Sequence, residues 1–197
     1  MNKKSIIITV VLVVIIIFSY TKYNGMVVKS EDAKTAWSNV ESEYQRRSDL
    51  IKNLVNTVKG AADFEKSTLE AVINARAKAT STQINVDDLT PENMAKFQQA
   101  QDGLSGALSR LLVTVERYPD LKANQNFLKL QDELASTENS VRTSRNRFNT
   151  AVNNFNKTIK LFPNNVFAGL FGFDDMARFK SAPGSEDAPD VEFDFNK

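Results

Sequence analysis

One stretch restricts this chain more than any other. Ile6 to Phe18 reads IIITVVLVVIIIF, apolar except for Thr9. A helix that is apolar all round belongs in a protein core or in a bilayer. Extended from Ser5 to Thr21, the run covers about 25 Å at a helical rise of ~1.5 Å per residue. That is the short end of what a hydrocarbon core of ~30 Å accepts. Tyr20 and Tyr23 stand where interfacial aromatics belong, and Lys22 can snorkel between them. The competing reading is a cleaved signal peptide, with Lys3 and Lys4 as its basic region. Phe18-Ser19-Tyr20-Thr21 lacks the small-x-small pattern of a cleavage site, and a run of Ile and Val without Ala suits a span better. Residues 1–25 are therefore read as a retained anchor, single-pass in a cytoplasmic (inner) membrane. The terminal amine, Lys3 and Lys4 flank one side; Lys22, Lys29 and Lys34 lie on the other. This balance leans only slightly to an N-terminus in the cytoplasm, with the remainder outside.

Past the anchor, apolar residues recur in alternating steps of four and three. Ala33, Trp37, Val40, Tyr44, Arg47, Ile51, Leu54 and Val58 form a heptad seam that Gly60 ends or bends. A second helical segment, from about Phe64 to Ala79, carries Leu69, Val72, Ile73 and Arg76. Thr80 to Asp88 reads as a loop. Thr90-Pro91-Glu92 is a helix start: a capping hydroxyl, proline at the first helical position, then an acid. The seam resumes at Met94, Phe97, Gln101, Leu104, Leu108, Leu111, Val115 and Tyr118, until Pro119-Asp120 stops it. Gly103 and Gly106 either weaken this helix or permit a close helix approach.

The last helix is expected from about Asn124 to Phe162. Its seam is Phe127, Leu130, Leu134, Thr137, Val141, Ser144, Phe148, Ala151, Phe155 and Phe162, with Val152 and Ile159 alongside. No segment before the tail alternates strictly, so no sheet is assigned. The fold class is all-α: an N-terminal transmembrane helix, then an antiparallel bundle of long helices over residues 26–180. VFAGLFGF, Val166 to Phe173, is too short to span. It is read first as an apolar cap on the bundle, with the membrane surface or a partner as alternatives. Residues 181–197, rich in Pro, Gly, Ser and acids, are expected to be a disordered tail.

The composition closes off most chemistry. With no cysteine and no histidine, disulfides, thiolate sites and imidazole bases are absent. The Glu-x-x-His pairs of di-iron bundles cannot be built. Gly169-Leu170-Phe171-Gly172 lacks the lysine and the preceding strand of a phosphate loop. Ser19 and Lys22 have the spacing of a Ser–Lys pair but lie at the end of the anchor, where an interfacial lysine is the simpler reading. A formal net charge of +1, with no nucleic-acid motif, argues against nucleic acid as a partner. The reading is of no enzyme, no cofactor and no metal.

Two charged features remain. Arg47 falls on the apolar seam, and a buried arginine needs a carboxylate; Glu116 and Glu138 are the candidates for an ion pair that fixes helix register. Arg142, Arg145 and Arg147 make a basic patch, either a solvated face or a contact for anionic lipid. With Phe167, Leu170, Phe171 and Phe173 they are the candidate lipid or partner surface. Tyr20, Lys22 and Tyr23 are the candidate membrane interface.

Several stretches then carry a resemblance. Tyr23-Asn24 and Trp37 lead into QRRSDLIKNLVNTVKG (Gln45 to Gly60); ERYPDLKAN (Glu116 to Asn124), NFLKLQDELASTE (Asn126 to Glu138), SRNRFNTAVNNFN (Ser144 to Asn156) and FPNNVFAGLFGF (Phe162 to Phe173) follow in order. From the anchor to about Phe179 the chain resembles the LemA family. The resemblance implies a bacterial protein with one N-terminal transmembrane helix and a bundle of long helices, and it assigns no biochemical role. It also implies a short N-terminus outside, opposite to the charge bias, so the side is left open. Phe64 stands where the family often has His, and Phe148 and Phe155 where it often has Tyr; both departures argue against catalysis at those positions.

Two functions are expected from this. The first is a non-enzymatic, membrane-anchored helical scaffold, self-associating through its heptad helices and meeting lipid and a protein partner. The alternative is a membrane-tethered sensor that binds a lipid or small molecule.

Overall fold

The computed structural model describes residues 2–60 and 64–180. They form six helices: α1 (Lys3–Lys59), α2 (Lys66–Ser81), α3 (Pro91–Val115), α4 (Pro119–Lys122), α5 (Gln125–Lys160) and α6 (Asn164–Phe171), with no strand among the described residues. The stretch read as a disordered tail, residues 181–197, lies outside them.

α1 is one uninterrupted helix of 57 residues, about 85 Å long at ~1.5 Å per residue. The boundary drawn between anchor and bundle at residues 25 and 26 is not a structural break. Its first part is exposed along the whole apolar run, and from Met26 onward the same helix buries one stripe. Ala33, Trp37, Val40, Tyr44, Arg47, Ile51, Leu54 and Val58 are all buried, as a four-three seam on one helix face requires. Gly60 ends the helix, its N–H donating to Thr57 O at 3.2 Å.

α5 runs antiparallel to α1. Arg47 meets Glu138, Trp37 meets Phe148, and Met26 shares a cluster with Phe155 and Ile159, so one number rises as the other falls. α2 and α3 form a second antiparallel pair, marked by Phe64 against Tyr118 at one end and Ala79 beside Gln101 at the other. Three core levels follow along α1: Leu50 to Val58 at the far end, an aromatic group around Trp37, and Met26 with Phe155, Ile159 and Ala168 nearest the span.

Local chemistry sets the ends. Thr90 Oγ1 accepts from Asn93 N at 3.3 Å, with Pro91 behind it, and Asn124 Oδ1 accepts from Asn126 N and Phe127 N. Two expected boundaries move. α3 ends at Val115, and Pro119 opens the short turn α4 instead of closing α3. α5 ends at Lys160, leaving Phe162, placed on its seam by periodicity, 84% exposed. The buried stripe has by then drifted from the Ala151 track to Val152 and Ile159, because 3.6 residues per turn does not repeat in seven. Within α2, Leu69 and Val72 are buried and Ile73 is exposed. At Gly103 and Gly106 an added Cβ would meet nothing within 4 Å, so neither glycine serves a close helix approach.

After α6, Gly172 takes a left-handed conformation (φ 74) and the chain turns back along α5 as an extended strap. Asn156 Nδ2 donates to Met176 O at 2.8 Å, and its Oδ1 accepts from Met176 N at 3.0 Å. Asn149 does the same for Phe179, at 3.2 and 3.0 Å. The spacing fits: seven residues of helix and three of extended chain both span about 10 Å. Phe179 thereby enters the Trp37, Phe97 and Phe148 group, with Trp37 5.9 Å away.

Candidate membrane-interface site

The apolar part of α1 ends at Phe18, and Lys22 and Tyr23 follow one turn later. The Lys22 ammonium lies 5.2 Å from the centre of the Phe18 ring, a cation–π distance. Tyr20 and Tyr23, just past the apolar run, are both exposed.

α6 packs against this same part of α1. Phe167 lies 6.0 Å from Phe18, and Tyr23 is 5.0 Å from Phe171 and 5.7 Å from Phe173. The helix is held from behind as well. Ala168 is buried against the Met26, Phe155 and Ile159 group, Phe155 is 6.3 Å from Phe173, and Asn164 Nδ2 donates to Thr158 O at 3.0 Å. Its other face is bare: Val166 and Leu170 are exposed, Leu170 at 73%, as are Leu161 and Phe162 in the turn before it. The segment expected to cap the bundle therefore buries one side against the α1–α5 pair and leaves an apolar row unburied. Sequence reasoning named Phe167, Leu170, Phe171 and Phe173 but missed Leu161, Phe162 and Val166 as members of this face. Phe162 was misassigned to the α5 seam, and only the proline after it hints that the helix has ended.

The basic residues grouped with that surface lie elsewhere. Arg142, Arg145 and Arg147 sit on the middle of α5, beside the Trp37 and Tyr44 levels of α1. Trp37 is fourteen residues beyond Tyr23, about 21 Å along the axis. Arg145 stacks on Phe179, 4.4 Å from the ring centre, and Arg142 donates to Asn139 Oδ1 at 2.5 Å. Arg147 lines a shallow groove with Lys29 and Asp32. Arg142 and Arg145 thus stand well away from Phe167, Leu170, Phe171 and Phe173, while Arg147 reaches lower on α1, to Lys29 and Asp32.

Arg47 is buried, its side chain 5% exposed, and Nη1 lies 3.2 Å from Glu138 Oε2 on α5, which is 60% exposed. Nη2 donates to Ser105 Oγ on α3 at 2.5 Å. Glu116 is not its partner: it sits past the end of α3 and pairs with Lys122 at 2.5 Å. The arginine thus joins three helices. The departures from the resembled family are apolar contacts here. Phe64 lies 4.9 Å from Tyr118, Phe148 packs on Trp37, and Phe155 on Phe173.

A further cavity of about 520 Å³ opens between α1, the end of α2 and α3. Ser42, Gln45, Thr80, Gln83 and Gln101 line it with neutral donors and acceptors, and Glu41 stands at its edge. Burial pushes the Glu41 carboxyl above the usual carboxylate range, partly offset by the Trp37 indole. Among the described residues no three Asp or Glu side chains converge on a site for a metal ion.

A family model described as the LemA family matches residues 36–193. Among curated relatives, Protein LemA of Metamycoplasma hominis is 25% identical over 118 residues, 60% of this chain and 50% of that protein. Magnetosome protein MamQ of Magnetospirillum gryphiswaldense is 27% identical over 182 residues, 84% of this chain and 67% of that protein. Magnetosome protein MamQ 2 of Paramagnetospirillum magneticum is 26% identical over a stretch of the same length. The chain thus spans half the length of the first relative and about two thirds of the others.

Proposed function

This chain belongs to the LemA family, and on that premise we propose that it is a non-enzymatic helical scaffold, fixed in a bacterial membrane by the first part of α1, that presents the bundle to a partner. The observation that carries the reading is the continuity of α1. The helix that is apolar on every side from Ile6 to Phe18 is the same helix that forms the spine of the bundle. In water that surface has no favourable place; in a bilayer it needs none, because an α-helix satisfies its own backbone groups. A rod built this way holds its far end at a set distance from the membrane.

Self-association remains part of the reading, by a different route from the one the heptads suggest. The seam of α1 is occupied inside the bundle, so a second copy would have to meet the unburied span or an outer helix face. The chain lacks cysteine, so single cysteines placed along α1 and α5 crosslink only where they are put. Crosslinking in intact cells, with identification of what is captured, is expected to recover copies of the chain together with a recurrent protein partner. Monomer by light scattering in detergent and no crosslinked species in cells would overturn the scaffold reading.

A second reading, a tethered ligand-binding module, is favoured by the cavity beside Gln45, Thr80, Phe97 and Gln101. Its lining mixes hydroxyls and amides with the apolar Phe97 and Leu104, which suits a small molecule with both polar and apolar parts. Native mass spectrometry of gently extracted protein decides it: a reproducible added mass lost in a Gln101→Leu variant supports this reading, and its consistent absence removes it.

A further inference from the structure

We propose that α6, with the turn before it, is a second membrane contact that lies at the boundary of headgroups and acyl chains in the leaflet nearest the bundle. The proposal rests on the anchored reading above, since it needs α1 in a bilayer.

Height comes from contacts to α1. From Lys3 to Lys22 the helix covers about 28 Å, close to the ~30 Å of a hydrocarbon core. The stretch from Phe18, one turn inside the hydrocarbon, to Tyr23, at the inner edge of the headgroups, is therefore the boundary zone. Phe167 lies against Phe18 and Phe171 against Tyr23, so α6 occupies that zone. Fixed there by Ala168 and Phe173 against α5, it cannot leave without opening the core beneath it.

Composition agrees with the position. Asn164 to Phe171 contains no charged residue, and the exposed row is Leu161, Phe162, Val166 and Leu170. A soluble surface rarely keeps so much apolar side chain in one place. Charges stand at the edge instead: Lys160 pairs with Asp175, and Lys22 rises from α1. An apolar face with polar ends, continuous with a membrane-spanning helix, fits a lipid interface. α6 itself is packed on the end of the apolar run, through Phe167 on Phe18 and Phe171 on Tyr23, so its exposed side chains stand at the height of the lipid surface, which argues for lipid rather than a protein as their occupant.

The test uses the full chain with one cysteine at a time, Leu12→Cys, Leu170→Cys or Val113→Cys, each carrying an environment-sensitive fluorophore in phosphatidylcholine/phosphatidylglycerol vesicles. Val113 lies on α3, away from the span, and is 71% exposed. Lipids with a quencher near the glycerol are expected to quench the Leu170 probe, and lipids with a quencher deep in the chain the Leu12 probe. Aqueous iodide should quench the Leu170 probe about threefold less than the Val113 probe. If Leu12 is quenched by lipid while Leu170 is as open to iodide as Val113, the α6 contact is wrong and the anchor stands. A Leu170 probe shielded from iodide yet untouched by lipid quenchers would mean a protein covers the face, which also overturns the proposal. An unquenched Leu12 probe would remove the anchored reading itself.

Discussion

Arg47 is the only fully charged side chain that the described core takes in, and its partners are unequal. Glu138 is largely in water, whereas the guanidinium is not. Removing the acid strands a buried charge with only Ser105 Oγ; removing the arginine returns the acid to solvent. Glu138→Ala is therefore expected to cost about 1–3 kcal/mol in urea unfolding, and Arg47→Met under about 1 kcal/mol. The reverse order would show that Arg47 contributes through packing rather than charge. Periodicity alone exposed Arg47, because a charge on a seam is visible in one dimension. Choosing between Glu116 and Glu138 was not possible there, since it depends on where α3 stops. Glu41 gives a test of the opposite kind. Its folded carboxyl is raised by burial, so the charged form carries a penalty at neutral pH that fades as pH falls through the folded value. Glu41→Gln is expected to stabilise the fold slightly at pH 7, by less than about 1 kcal/mol for a partly exposed carboxyl, read as a small rise in melting temperature. The two proteins should converge as pH drops below about 4; a gain that persists in acid would have another cause.

At the scale of elements, what was readable was periodic or capped, and what was hidden was tertiary. Thr90-Pro91 and Asn124 announce α3 and α5 because a cap is made within one turn of chain. The strap is different. FDDMARFK has the look of a polar loop, and Asn149 and Asn156 look like solvated positions, until an extended segment is laid on them. Each amide then serves both backbone groups of one strap residue. Asn156→Ala leaves the N–H and C=O of Met176 without their partner, a loss of about 1–3 kcal/mol for two hydrogen bonds. The expected signature is local: faster proteolysis near residues 173–180 with the helical circular dichroism kept. Equal protection in the variant would mean that Phe179 in its aromatic group holds the strap alone. α3 offers a gain. Because a Cβ at Gly103 or Gly106 meets nothing, Gly103→Ala and Gly106→Ala should each stabilise by about 0.5–1 kcal/mol, read as a higher urea midpoint at unchanged slope. A loss at either site would mean that the helix needs the glycine for something other than space.

At the scale of the molecule, the span and the bundle are joined twice, once through the backbone of α1 at Asn24-Gly25 and once through the α6 contacts to Phe18 and Tyr23. Two joints at different radii resist bending more than either alone, because rotation about the first must break the second. A flexible Gly-Ser insertion after Gly25 removes only the backbone joint. The distance from a spin label at Val113→Cys to the bilayer surface is then expected to broaden modestly. Replacing Leu170 and Phe171 by Ser in addition removes the apolar hold of α6, and the distribution should broaden well beyond the sum of the separate changes, since contacts in one coupled unit are not additive. The serine pair without the insertion should change little, because the helix still sets the angle. Full broadening from the insertion alone would mean that α6 adds nothing to orientation and that α1 by itself determines how the bundle stands on the membrane.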